Sequence, residues 1–471
     1  REILSVASVE GEEFTAQVVA QVQGVGERQL LSALFQELQR RHRLVRKQAA
    51  VTVDQRHLSR YRFAHALFQQ YLYGHLAEGE RRLLHGRIAA VLEGLYEGST
   101  ETAAVQLAHH YSEAGDDPRA LHYFALAGDG ALASYANREA EGYYRRALEL
   151  APEEPRPVQL LSRLGEALLR QSRFREAIQT WREGIELYRA LEDSDGLARL
   201  YADSASAALQ AYNPAESLRL CLEGLTLVQG APESPGLARL LHRTARAHRT
   251  AALLEEGRPF AQRALKMAER LGDVEAQARV LTTLGEDFLT GEPALEALAK
   301  AVMLGESYGL RHLVPNPHHA LGYATMIYRG DYRAGLEHFL RGAELAGQAG
   351  RANIQMMTLG GIVWYSLRYG EIAEAEKTLS RMRALLEELT EPSWATEVVL
   401  YCEMWYQGHM GKWEACSPQA RARQVSARER GADNMLAWAQ HWLGWATLES
   451  RVLGHDAPVG GWEEAEAALL E

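Results

Sequence analysis

From about residue 100 onward, apolar residues recur at three- and four-residue intervals and strict alternation is almost absent, so the chain reads as helix, turn, helix over and over. Laying Leu164-Gly165 over Ser204-Ala205, Thr244-Ala245 and Leu284-Gly285 exposes a constant step of 40 residues. A second series keeps the same step: Ala177, Ser217, Gly257 and Ala297. Two antiparallel helices approach closely only where side chains are short. Small residues at both series therefore predict the crossing points of stacked helical hairpins, with bulky Leu168 and Trp181 filling the volume beside them. Later units are looser: Leu321-Gly322 with Ala334, Leu359 with Ala375, Leu400 with Cys416, and Leu443-Gly444 with Ala465. The fold class expected is an all-α superhelical repeat solenoid whose register is less tightly fixed after residue 310.

The first ninety residues do not repeat. Ile3, Leu4, Val6 and Ala7 fall at helical spacing, and residues 14–22 and 28–41 read as two further helices. Residues 44–46 and 60–63 read as short strands around a polar connection. Helices followed by a two-stranded wing predict a winged-helix domain over residues 1–76, a linking helical arm over 77–102 and the repeat array over 103–471. Between Arg40 and Arg62 eight Lys or Arg stand against one acid, Asp54, a bias that suits phosphate contact. The second helix spends Leu30, Leu31, Leu34, Phe35 and Leu38 on a core. Few polar side chains are then left to read base edges, which argues against direct DNA contact.

Composition narrows the function. With 62 acids against 51 bases the formal charge is -11, which excludes a chain whose whole surface grips nucleic acid. No apolar run is long enough to span a bilayer. Three scattered cysteines, Cys221, Cys402 and Cys416, give neither a disulfide framework nor a four-ligand zinc site and suit a reducing, cytoplasmic setting. His109-His110 and His318-His319 are adjacent, so on a helix their side chains leave about 100 degrees apart and neither pair is expected to chelate one metal. No catalytic constellation stands out, and no enzyme activity, metal or cofactor is expected within these residues. An amino-terminal Arg and a closing helical run, 463–471, without a stop signal read as a piece of a longer protein.

The repeat resembles the tetratricopeptide repeat, which pairs a large residue, Leu-Gly/Ala and an aromatic on its first helix with Ala, aromatic, Ala on its second. Leu161, Leu164-Gly165, Leu168, Ala177, Trp181 and Gly184 match position by position, as do Leu107-Ala108, Tyr111, Ala120, Phe124 and Ala127. A step of 40 instead of the usual ~34 implies longer helices. With the small residue of the Leu-Gly pair as position 8, the positions facing the groove of such a superhelix include 2, 5 and 9. Position 2 holds Arg199, Arg239 and Arg279 in successive units, and the middle unit adds His242, Arg246 and Arg249. This ladder suits a carboxylate, phosphate or acidic peptide; equally, its arginines can pair with neighbouring acids such as Glu166 and Glu286. Trp364, Trp405 and Trp445 take position 9 of three consecutive units, with Trp438 and Tyr401 on the same face. They suit capture of a peptide or small molecule, or ordinary packing between repeats beside Gly360, Gly361 and Gly408.

The order of segments over residues 1–150 carries a second resemblance. Residues 6–14, Leu34-Phe-Gln-Glu-Leu38, Tyr61-Arg-Phe-Ala-His65-Ala-Leu67, Arg81-Arg-Leu-Leu-His85, Leu107-Ala-His-His-Tyr111 and Ala114-Gly-Asp116 are similar to the segment that follows the nucleotide-binding domain in bacterial STAND proteins, the signal-transduction ATPases with numerous domains. In that family a P-loop ATPase domain precedes the winged helix, whose histidine reaches the β-phosphate of bound ADP; inducer binding at the repeats releases this clamp, ATP replaces ADP and the protein oligomerises. The resemblance implies the phosphate-sensing role for His65, an inducer at the repeats, docking of the protein's own ATPase domain on the winged helix, and ADP/ATP with Mg in the full-length protein. No G-x-x-x-x-G-K-[ST] is present, and Gly408-His-Met-Gly411-Lys412-Trp413 has the wrong spacing. Two alternatives stay open: a freestanding repeat scaffold for partner peptides, and a winged-helix DNA-binding regulator.

Overall fold

A computed structural model describes residues 2–53, 56–151, 157–211, 213–251, 253–287, 290–387 and 394–430. Trp438, Trp445 and the hairpin expected around Gly444 and Ala465 lie outside the described residues. The chain divides by compactness into residues 1–167 and 168–471. The sequence division at 76 and 102 separates kinds of element instead.

In the first unit, helix Glu2–Glu10 leads into strand β1, Glu13–Thr15, and helices Ala16–Gln23 and Glu27–Ala33; the last runs on through wider π-helical turns, Leu34–Arg41. Four strands follow: β2 Val45–Lys47, β3 Val51–Val53, β4 Arg56–Leu58 and β5 Arg60–Phe63. β5 lies at the centre of an antiparallel sheet, with Phe14 opposite Tyr61 on one side and Val45 opposite Phe63 on the other. β3 and β4 pair as a separate ribbon. The expected helix over 14–22 starts only at Ala16, because Phe14 and Thr15 are drawn out as an edge strand. The Glu10 carboxylate holds the Thr15 N–H at 2.9 Å, and buried Phe14 packs on Tyr61 and Phe63. Helix 27–33 buries Leu30, and Leu34 follows it inward, but Arg28, Gln29, Ser32 and Gln36 are exposed. Its outward face is thus more polar than its leucines suggested. Helices Ala66–Gly74, Glu78–Leu95, Thr100–Ala114, Asp117–Ala133 and Asn137–Leu150 complete the described helices lying wholly within the unit.

In the second unit, helix Phe174–Ala190 precedes six hairpins among the described residues. Their first helices are Ser194–Gln210, Pro235–Thr250, Val274–Gly285, Pro315–Ala324, Ala352–Arg368 and Trp394–His409. Their second helices are Pro214–Leu227, Leu254–Leu271, Glu292–Ser307, Tyr332–Gln348, Ile372–Glu387 and Trp413–Arg430. Starts are marked where the sequence offers caps: Asp193, Asn213, Ser234, Asp273 and Asp331 each accept the backbone N–H three residues on. The two series of small residues meet as their spacing predicts. Ser217 donates to the Ala205 carbonyl at 2.8 Å, Cys416 to that of Met404 at 3.5 Å, and a Cβ at Gly257 would stand 3.1 Å from the Ala245 carbonyl.

Two units depart from this register. Residues 325–329 continue helix Pro315–Ala324 as a π-helical turn, which inserts one residue. Gly335 consequently meets the Gly322 carbonyl, and Ala334, the residue expected there, is only partly buried. Helix Val274–Gly285 stops at the crossing itself, so Ala294 approaches Gly285 and Ala297 moves aside.

Candidate functional site

Successive first helices of the second unit are joined by polar side chains, which together form a wall. The Gly236 N–H donates to Asp195 Oδ1 at 2.7 Å, Arg239 pairs with Asp203, His242 Nε2 lies 2.9 Å from Thr283 Oγ1, and Arg249 reaches Glu286 at 3.0 Å. The three rungs of the arginine ladder are all paired: Arg199 with Asp195, Arg239 with Asp203 and Arg279 with Glu275. Glu286 serves Arg249, and Glu166 lies 3.4 Å from Arg163. These rungs are partly exposed, and such pairs stabilise little.

Behind the ladder the charge does not close. Arg239, Arg243, Arg246 and Arg249 follow one another at three- and four-residue spacing along helix Pro235–Thr250, a stripe on one face. Arg243 and Arg246 make no ion pair and no hydrogen bond among the described residues, and the Nε of each is sealed from solvent without a partner. Burial pulls both below the usual arginine range; Arg246 adds to this at Arg243, where Asp203 opposes it, and Glu286 opposes it at Arg246. Both guanidiniums remain charged at neutral pH. Burial also holds His242 well below the usual histidine range, reinforced by Arg243 and Arg246, so its ring is neutral.

His242, Arg246, Arg279, Thr283, Glu286 and Asn316 line a notch of about 30 Å³, the share of one water molecule in the liquid. Unmet groups cluster around it. Arg249 Nε, Asn316 Oδ1, His319 Nδ1 and the carboxylate oxygen Glu286 Oε2 are buried without hydrogen-bond partners, and burial lowers His319 to about 4. Native interiors leave few polar groups unmet, so this concentration on helices Pro235–Thr250 and Pro315–Ala324 is a polar surface lacking its complement. Sequence reading named Arg246 and His242 but missed Arg243, Asn316 and His319. The arginine stripe was the available signal; the missing partners were not legible.

The aromatic candidates separate. Trp364 is half-buried, with Tyr332 stacked at 6.4 Å between centroids, Tyr323 at 6.4 Å and the Arg368 guanidinium 5.8 Å from its ring. Tyr401 and Trp405 are 4% and 7% exposed, inside a core cluster with Met404, Cys402 and Met382. They pack the interior and do not line an open wall, because their faces of the helix are turned into the stack. Trp438 and Trp445 are outside the described residues. All three cysteines are buried; burial pushes Cys221 up to about 12 and Cys416 to about 11, which leaves them inert.

In the first unit, His65 stands exposed in extended conformation between β5 and helix Ala66–Gly74, its side chain making no cap bond. Leu67 and Tyr71 are exposed beside it in sequence. The expectation that adjacent His109 and His110 cannot converge is overturned. Their ring centroids are 5.3 Å apart, and His85 from helix Glu78–Leu95 approaches both. A 100-degree divergence at Cβ does not fix the ring nitrogens, because two side-chain torsions can turn them back toward a common point.

No family model and no curated protein matches this chain. Among solved structures, a Rap protein complexed with Competence and Sporulation Factor aligns with TM-score 0.52 at 12% identity, covering 74% of this chain and 96% of its own. A STAND protein with a tetratricopeptide repeat sensor from Pyrococcus horikoshii aligns over 99% of this chain with TM-score 0.46 at 13% identity, and this chain spans 62% of that protein's length. Aspartyl phosphate phosphatase F from Bacillus subtilis aligns over 68% of this chain and 80% of its own, with TM-score 0.45 at 12% identity. The fold is a tetratricopeptide-like helical repeat. Among the described residues no helix is long and apolar enough to cross a membrane.

Proposed function

We propose that this chain is the sensor and arm region of a STAND-type signal-transduction ATPase, which captures an inducer carrying an anionic group on the wall of first helices and relays the event to a nucleotide-binding domain outside these residues. The observation that carries the reading is the pair Arg243 and Arg246, partly buried cations whose Nε atoms are sealed from solvent and which make no ion pair or hydrogen bond among the described residues, although the charges of Asp203 and Glu286 reach them. An isolated buried cation is costly, and a carboxylate or phosphate on a bound peptide or small molecule would offset that cost with charge-assisted hydrogen bonds. The notch beside them admits one or two ligand atoms, so the inducer lies along the wall and sends only its anionic tip inward.

In this reading residues 1–76 form a winged-helix module, 77–102 the arm and 103–471 the sensor, within the cytoplasm. His65 contacts the β-phosphate of ADP held with Mg by the ATPase domain, and its exposure leaves it free to do so. The chain itself hydrolyses nothing, since it lacks a P-loop.

Tryptophan fluorescence titration with inorganic phosphate and an oligoglutamate peptide tests the wall. Binding by the parent, weakened tenfold or more in Arg243→Gln and Arg246→Gln with unchanged circular dichroism, is the expected result. Equal binding by folded variants would remove the wall from the site. The relay is tested by the reading frame upstream of Arg1: a P-loop within about 300 residues, roughly one ATPase domain, supports it, and a natural start at this position favours the freestanding scaffold.

A further inference from the structure

A second polar cluster, in the first unit, has the geometry of a metal centre. Helices Glu78–Leu95 and Thr100–Ala114 lie against each other, and His85, His109 and His110 meet between them. Ring centroids stand 5.6 Å apart for His85 and His109, 5.0 Å for His85 and His110, and 5.3 Å for His109 and His110. Three imidazoles bound to one tetrahedral zinc at about 2.0–2.1 Å put each ring centroid about 3.2 Å from the ion and the centroids about 5.2 Å from one another. The observed triangle brackets that value. One ligand nitrogen from each ring lies within 4.8 Å of the other two.

We propose that His85, His109 and His110 hold a divalent cation of the zinc class, with the fourth position open to water on the side of exposed His109.

The surroundings supply what such a site needs. His85 Nδ1 and His110 Nδ1 are 2.8 Å apart and share a proton in the metal-free form. A bound ion would take that proton's place and spread the two nitrogens to about 3.3 Å. The other nitrogen of His85, Nε2, lies 3.1 Å from the Tyr73 hydroxyl. That contact fixes the ring as outer partners of metal-bound histidines do. His85 and His110 are buried and His109 is exposed, so the ion has a path in and a packed floor. Burial, with the neighbouring histidines adding to it, lowers His85 to about 4 and holds His110 well below the usual histidine range. Arg81 works against the cation, since its guanidinium lies 5.2 Å from the Tyr73 ring and its charge reaches His85. The site is accordingly weaker than one completed by a carboxylate. Its consequence is a clasp between two helices of the arm region.

The test uses the whole chain, stripped with a chelator and titrated with Co²⁺ while visible absorption is recorded. A ligand-field band saturating at one equivalent and displaced by Zn²⁺ is expected, with Zn²⁺ also raising the melting temperature. His110→Gln should abolish both effects, His109→Ala should weaken binding by tenfold or more, and Tyr73→Phe should weaken it by about tenfold. His109 is exposed, so its variant keeps the experiment decisive if the buried substitution prevents folding. No band in the parent, or an unchanged band in His109→Ala, overturns the site.

Discussion

Two partly buried polar regions of this molecule are built on opposite plans. In the first unit, Tyr111 and Tyr123 each donate a hydrogen bond to one oxygen of Glu93, and Arg119 donates to the Tyr111 hydroxyl and lies 3.9 Å from Glu93. Burial alone would push the Glu93 carboxyl up, but the two hydroxyls, with the charges of Arg119 and His122, outweigh it and leave it below the usual range. Each donor here has an acceptor. On the wall of the second unit, Arg243 and Arg246 have none among the described residues. A buried network that serves the fold is closed, because an unmet group costs about 1–3 kcal/mol; one kept open needs an external partner to justify that cost.

If the closed network is structural, Tyr111→Ala should be the most damaging change, removing a fully buried ring and one of the Glu93 donors. A loss of about 4 kcal/mol is expected in chemical denaturation of the first unit, and a loss below about 1 would break the contrast. Next comes Glu10, whose carboxyl burial raises from 4.5 to about 7 against the lowering by the Thr15 N–H. Its folded form holds a proton that the unfolded chain has already released. The associated stability is therefore full below about 4.5 and falls as pH rises through 7, by on the order of 3 kcal/mol. Glu10→Gln should flatten that slope; an unchanged slope would assign it to another group.

The open region should respond in reverse. Replacing Arg246 by Met removes a partly buried charge that makes no ion pair among the described residues, at similar volume, so stability should stay level or rise by about 1 kcal/mol while anion binding is lost. A drop of several kcal/mol without ligand would place Arg246 in the closed class. The smallest effect is expected at the ladder, where Arg199→Ala deletes an exposed pair with Asp195 and should cost about 0.5 kcal/mol. A cost above about 2 kcal/mol in chemical denaturation would show that this rung supports the stack.

How far the sequence could be read follows from where each partner lies. The contact of Ser217 with Ala205 was legible because both lie in one hairpin at fixed spacing; the capping residues Asp193, Asn213, Ser234, Asp273 and Asp331 act only three residues ahead yet went unread in the sequence. Phe14 looked helical because its strand partner, Tyr61, is far along the chain. Tyr401 and Trp405 were candidates for an open face because only the packing of neighbouring hairpins shows that they are enclosed.

By itself the sequence determined the hairpin array, its step of 40 residues and the small residues twelve apart that meet at Ser217 and Gly257. Those features repeat within a single hairpin, where helical periodicity alone dictates which side chains face each other. Tertiary structure decided the rest: the one-residue shift imposed by the π-helical turn 325–329, the meeting of His85 with His109 and His110, and which arginines found an acid. Each depends on the rotation of one packed helix against another. A rotation of one residue, about 100 degrees, moves a side chain from core to surface or from partner to solvent.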